Sequence, residues 1–117
     1  MPTTTSLSVI DLLASLGTAN APLVVDVCIE PDFAADPYVL PGAIRHPHTD
    51  IAGLIPRLKE RPTVIMCQKG RKLSQGVAAW LRADGIDACY LVGGMHAWRD
   101  HPGTLRIPAS ALHTTAI

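Results

Sequence analysis

Apolar residues recur along this chain with two different spacings, and the change from one to the other marks out the elements. Val9, Leu12, Leu13 and Leu16 stand at the i, i+3, i+4, i+7 positions of an amphipathic helix. Ser8, with Asp11 three residues on, resembles a capping box, and Gly17 is placed to end the helix. Leu23-Val24-Val25-Asp26-Val27 is then a β-branched run, predicted to be a buried strand. Residues 29–49 carry Pro31, Pro37, Pro41, Gly42 and Pro47 and are expected to be mostly loop, with a turn at Pro41-Gly42. A second helical stripe, Ile51, Leu54, Ile55 and Leu58, contains Pro56, which should kink the helix or split it.

Thr63-Val64-Ile65-Met66 reads as a second buried strand and runs directly into Cys67. The clearest helix carries Leu73, Val77, Trp80 and Leu81 and is closed by Asp84-Gly85. Ala88-Cys89-Tyr90-Leu91-Val92 is a third strand; Gly93-Gly94 turns it into a short helix over 95–99, which Pro102-Gly103 stops. Alternating helix and strand predicts an α/β fold, a mostly parallel sheet with helices on both faces. No internal repeat interrupts the pattern, and only Met1–Ser6 and His113–Ile117 read as polar ends.

The 117 residues suit one domain, with a core expected over about 6–102 and a short C-terminal tail. Lysine plus arginine balance aspartate plus glutamate at 10 each, so no broad field draws the chain to nucleic acid or to an acidic membrane. Any preference for anions has to come from a local site. No apolar run approaches the length of a membrane span, and Met1–Ser6 does not read as a signal peptide, so the expected location is the cytoplasm. Cys28, Cys67 and Cys89 are widely spaced, without a CxxC pair, which argues for reduced thiols rather than a disulfide framework.

Cys67 is the candidate nucleophile. It stands where a strand hands over to a helix, the edge at which open parallel sheets bind ligands. The next five residues, Gln68-Lys69-Gly70-Arg71-Lys72, hold a glycine and three cations. Gly70 permits the bend that turns successive backbone N–H groups into an anion nest. The helix N-terminus and the cations of Lys69, Arg71 and Lys72 all favour thiolate over thiol. A buried structural cysteine beside a solvated basic turn is the plainer alternative, but such a cysteine has no need of this loop.

Four segments in order then identify a resemblance: Leu23–Val27 with its Asp26, Pro41-Gly42-Ala43-Ile44, Cys67–Lys72, and Gly93-Gly94-Met95-His96-Ala97-Trp98. Together they resemble the rhodanese-like sulfurtransferases from about Ser6 to Pro102. The resemblance implies a five-stranded parallel sheet flanked by helices and a six-residue active loop that opens with a persulfide-carrying cysteine. Lys69, two places after that cysteine, looks like the thiosulfate-using members; those using mercaptopyruvate tend to have a small, uncharged residue there. The chain departs from the family at Cys28, where Asp-Val-Arg is common, so an arginine that serves relatives as an ion-pair partner is missing. The Pro-rich stretch 31–41 and Ser74-Gln75 are similar to rhodanese modules associated with chromate resistance, a likeness that assigns no substrate.

The function expected is transfer of a sulfane sulfur from thiosulfate or a similar small anionic donor, through a Cys67 persulfide, to cyanide or a thiol. Gln68, Lys69, Gly70, Arg71 and Lys72 are the expected substrate-binding loop. No cofactor or metal is called for, and a sulfur-accepting protein is an alternative acceptor. Two rivals stay open: a non-enzymatic persulfide carrier or docking module, and a phosphatase or arsenate reductase on the same scaffold. Cys28 reads as a packed thiol with a resolving role as the alternative, and Cys89 as core. His46 and His48 resemble half a metal site whose other ligands are not evident. Trp80 and Trp98 read as core, and Asp26 as a structural acceptor rather than a general base.

Overall fold

The computed structural model describes residues 5–111, and within them helix and strand alternate as the periodicity predicts. The elements are β1 (Ser6–Leu7), α1 (Val9–Ser15), β2 (Leu23–Asp26), α2 (Glu30–Ala35), β3 (Tyr38–Val39), β4 (Ile44–Arg45), α3 (Ile51–Leu54), β5 (Thr63–Met66), α4 (Lys72–Ala83), β6 (Ala88–Leu91), α5 (Gly94–Asp100) and β7 (Ile107–Pro108). Five strands form one sheet in the order β1-β6-β5-β2-β4, parallel at every pairing. β3 and β7 pair separately as a short antiparallel ribbon.

Parity along the central strands decides which side each helix covers. Val25, Val27, Ile65 and Cys67 face one way and pack with Ile51, Leu54, Val77, Ala78 and Leu81 from α3 and α4. Val24, Val64 and Met66 face the other way and pack with Val9 and Leu12 of α1 and Met95 and Trp98 of α5. All four residues of β5 are buried, as expected of a strand covered on both faces. Each fully buried Leu, Val or Met contributes roughly 1.5–3 kcal/mol, so the two layers carry most of the stability.

The local signals work as their chemistry requires. The Ser8 hydroxyl caps α1 by accepting from the Asp11 N–H at 3.1 Å. Pro56 splits the second helical stripe into α3 and a 3-10 turn over Ile55–Arg57. β2 and β5 lie side by side, and from them the chain proceeds to opposite halves of the sheet, so their carboxyl ends flank the crevice at the switch point. Cys28 follows one of these strands and Cys67 the other.

Three expectations need correction. Residues 29–49 are not mostly loop: Glu30–Ala35 is helical, with Pro31 in its first turn, where a missing N–H costs nothing. The same stretch supplies β3 and the edge strand β4. Trp80 is 52% exposed, because α4 turns only part of its apolar stripe to the sheet, whereas Trp98 is buried and donates its indole N–H to the Leu105 carbonyl at 2.8 Å. Cys89 is half-buried, packed against the α1/α5 layer rather than within it. Of the expected polar ends, Ser6 belongs to β1, while residues 1–4 and His113–Ile117 lie outside the described residues.

Candidate active site

Cys67 is the first residue beyond β5, 7% exposed, and its Sγ lies 3.2 Å from the Oγ of Ser74 in the first turn of α4. As a thiol, Cys67 donates to Ser74; as a thiolate it would accept the hydroxyl proton. Ser74 is fully buried, and its other contact, the Arg71 carbonyl at 3.4 Å, lets the hydroxyl turn without losing its bond.

The loop from Cys67 to α4 is clamped against the start of α5. The Met95 N–H donates to the Cys67 carbonyl and the His96 N–H to the Gln68 carbonyl, each at 2.9 Å. Gly70 adopts φ +68°, and a Cβ there would lie 2.6 Å from the nitrogens of Gly93 and Gly94. A Cβ on Gly94 would run into the Cys67 carbonyl oxygen and the Gly70 nitrogen. Two backbones therefore touch where no side chain fits. The carbonyls of Cys67 and Gln68 are thus engaged by α5, and that of Gly70 accepts from the Gln75 side chain at 3.1 Å. Its N–H groups at positions 68–71 donate to no acceptor among the described residues, which leaves a set of donors beside Cys67 at the start of a twelve-residue helix.

Cys67, Gln68, Lys69 and Arg71 line one open cleft of about 410 Å³, and Ile29 and Asp32 supply residues from the start of the α2 segment. Lys69 and Arg71 are exposed and form no ion pair among the described residues. The expected loop residues thus divide. Gly70 is buried and shapes the backbone, while Lys72 is exposed as the first residue of α4 and does not line the cleft. Asp32 was not singled out in the sequence, and Ser74 entered only in a family likeness at the helix start, not as a site residue.

Across the switch point, Asp26 is buried and accepts from the Cys28 N–H at 2.8 Å. Burial pushes its carboxyl above the usual range, opposed by that hydrogen bond and by Arg45 at 4.0 Å. Arg45, from β4, also donates to the Cys28 carbonyl at 3.4 Å and to Glu30 at 2.8 Å, and lies 3.8 Å over the Phe33 ring. Arg45 of the neighbouring strand therefore pairs with Asp26, although the Asp26-Val27-Cys28 run itself carries no arginine at its third position. Burial, then the carboxylates of Asp26 and Asp32, push the Cys28 thiol up to about 12; burial likewise raises Cys89 to about 11. His46 gives its Nε2 to the Asp50 carbonyl at 2.7 Å, and no cluster of three metal-ligating side chains occurs among the described residues.

A family model described as the rhodanese-like domain matches residues 8–101. The chain belongs to this family. A rhodanese-like domain protein from Staphylococcus aureus is 28% identical, with a TM-score of 0.72 over 87% of this chain and 97% of that one. A thiosulfate sulfurtransferase from Pseudomonas aeruginosa is 23% identical, TM-score 0.72, but 93% of this chain spans only 20% of that protein. A possible tyrosine phosphatase from Rhodopseudomonas palustris is 20% identical, TM-score 0.70, over 81% of this chain and 79% of that one. The last two likenesses show the fold alone. No curated protein matches. No helix among the described residues of this rhodanese-like domain is long and apolar enough to cross a membrane.

Proposed function

We propose that this rhodanese-like domain transfers a sulfane sulfur by double displacement at Cys67. The Cys67 thiolate attacks the outer sulfur of thiosulfate or a similar small anionic donor. A bond forms between Sγ and that sulfur, the donor's sulfur–sulfur bond breaks, and sulfite leaves with its electron pair. Cyanide or a thiol then takes the outer sulfur from the persulfide and returns Cys67 to thiolate. Dividing the transfer across a covalent intermediate is the gain from nucleophilic catalysis.

The observation that carries this reading is the union of a nearly buried sulfur, a buried hydroxyl at 3.2 Å and a loop of N–H groups unengaged among the described residues, opening on a cleft lined by two cations without an ion-pair partner among them. Fixed donors of this kind suit an anionic terminal sulfur, while Lys69 and Arg71 suit a doubly charged donor and its leaving sulfite. Gln68 contributes a half-buried amide to the same cleft. Lys72 acts only from the helix end, at longer range.

Intact mass decides it. Incubation with thiosulfate should add one sulfur atom to the protein, cyanide should remove it as thiocyanate, and Cys67→Ser and Cys67→Ala should do neither. Cys67 variants that still load and turn over would overturn the proposal.

A further inference from the structure

The α2 segment carries three carboxylates, and two of them are occupied. Glu30 pairs with Arg45 at 2.8 Å and Asp36 with Arg106 at 2.7 Å. Asp32 makes no hydrogen bond or ion pair with any described residue, although it lines the same cleft as Lys69 and Arg71. The flanking ion pairs, the stacking of Arg45 on Phe33 and the β3–β7 ribbon brace the helix that holds it. The cleft over Cys67 is therefore bipolar: two cations on the loop and one carboxylate on α2, held apart rather than neutralising each other.

We propose that Asp32 selects the sulfur acceptor, a small thiol carrying an ammonium group within a few bonds of its sulfur. This rests on the sulfur-transfer reading of Cys67. The anionic donor meets Lys69 and Arg71, and after sulfite has left, the acceptor's ammonium meets Asp32 while its sulfur attacks the outer sulfur of the persulfide. A bond forms between those two sulfurs, and the Cys67 Sγ–sulfur bond breaks with its electron pair returning to Sγ. The acceptor's thiol proton passes to the transferred sulfur, so the products are an acceptor persulfide and the Cys67 thiolate, with no external oxidant or reductant. One cleft thus serves two reactants of unlike charge in turn.

The test uses the whole chain loaded with sulfur and discharged by cysteamine, 2-mercaptoethanol or 3-mercaptopropionate, with rates expressed per thiolate. Asp32→Asn should cut the ratio of the cysteamine rate to the 3-mercaptopropionate rate about tenfold, because one thiol loses an attraction and the other a repulsion, each of the scale of a charge pair in a water-filled cleft. Asp32→Glu should retain most of the ratio, and added salt should narrow the difference in ratio between the parent and Asp32→Asn. The same ratio in parent and Asp32→Asn overturns the proposal. Failure of thiosulfate to load the protein counts against the donor reading instead, because inorganic polysulfide can supply the sulfur and the acceptor comparison still decides about Asp32. Protein that takes sulfur from neither source overturns both.

Discussion

The Sγ of Cys67 and the Oγ of Ser74 lie 3.2 Å apart, both screened from solvent, one at the end of a strand and the other in the first turn of the next helix. This contact ties Cys67 to α4 rather than to its own loop. Ser74→Ala removes the side-chain hydroxyl that, among the described residues, lies within reach of a Cys67 thiolate. A hydrogen bond to a charged group is worth roughly 1.5–3 kcal/mol. Sulfur loading from thiosulfate should therefore slow by about tenfold or more while the protein stays folded, read by stopped-flow loading alongside urea denaturation. Unchanged loading would leave the hydroxyl a packing group.

Gly94 is the second point where the site depends on one residue. It sits at φ +56° against the Cys67 carbonyl and the Gly70 nitrogen. Gly94→Ala incurs a left-handed backbone cost of about 1–2 kcal/mol and must also push the loop away from α5. The 2.9 Å bonds from Met95 to Cys67 and from His96 to Gln68 should loosen together. Gly76→Ala, on α4 with open space at its Cβ position, is the control and should be neutral or mildly stabilising. Thermal melts and sulfur loading of the two variants check this, and a Gly94→Ala protein as stable and as active as the parent contradicts it.

Cys28 neighbours the active edge but is held as a thiol. Burial, then the carboxylates of Asp26 and Asp32, raise it to about 12, so at pH 8 the thiol form dominates. Iodoacetamide at pH 8 should leave Cys28 and Cys89 unmodified, with labelling growing as pH rises toward about 12 and about 11 respectively. Cys28→Ser should turn over thiosulfate within about twofold of the parent. Peptide mapping of oxidised protein settles the alternative, since a Cys28–Cys67 disulfide in high yield would make Cys28 a resolving residue.

Much of this was legible in the sequence because the site lies where long, strongly patterned elements meet. Thr63–Met66 and the stripe Leu73, Val77, Leu81 bracket the loop, so Cys67 at a strand–helix junction followed directly from periodicity. β1 and β4 are two residues each, too short to display a period, and their pairing is fixed by neighbours far along the chain. α2 stayed hidden because Pro31 was weighed as a breaker, although proline with Glu30 and Asp32 in a first turn is a start signal. That oversight concealed Asp32. Ser74 and Arg45 were not legible at all, for their partners, Cys67 and Asp26, are joined to them only by the packing of separate elements.

The last prediction separates sulfur transfer from phosphoryl transfer, the rival raised by the loop's anion-nest design. A phosphatase loop of the Cys-x5-Arg kind needs an arginine six residues after the cysteine, whose planar fork grips a tetrahedral oxyanion at two oxygens. In this chain that position is Leu73, half-buried and packed against the core layer beneath α4. α4 already begins at Lys72, and Ser74 on its first turn is bound to Cys67, so the loop closes one residue early. Arg71 is exposed ahead of the helix, and Lys72 is a point charge without the fork. Hydrolysis of para-nitrophenyl phosphate should therefore be undetectable at protein concentrations where thiosulfate turnover is easily measured. Phosphatase activity that Cys67→Ser lacks, at equal concentration and purity, would replace sulfur transfer with phosphoryl transfer as the chemistry of Cys67.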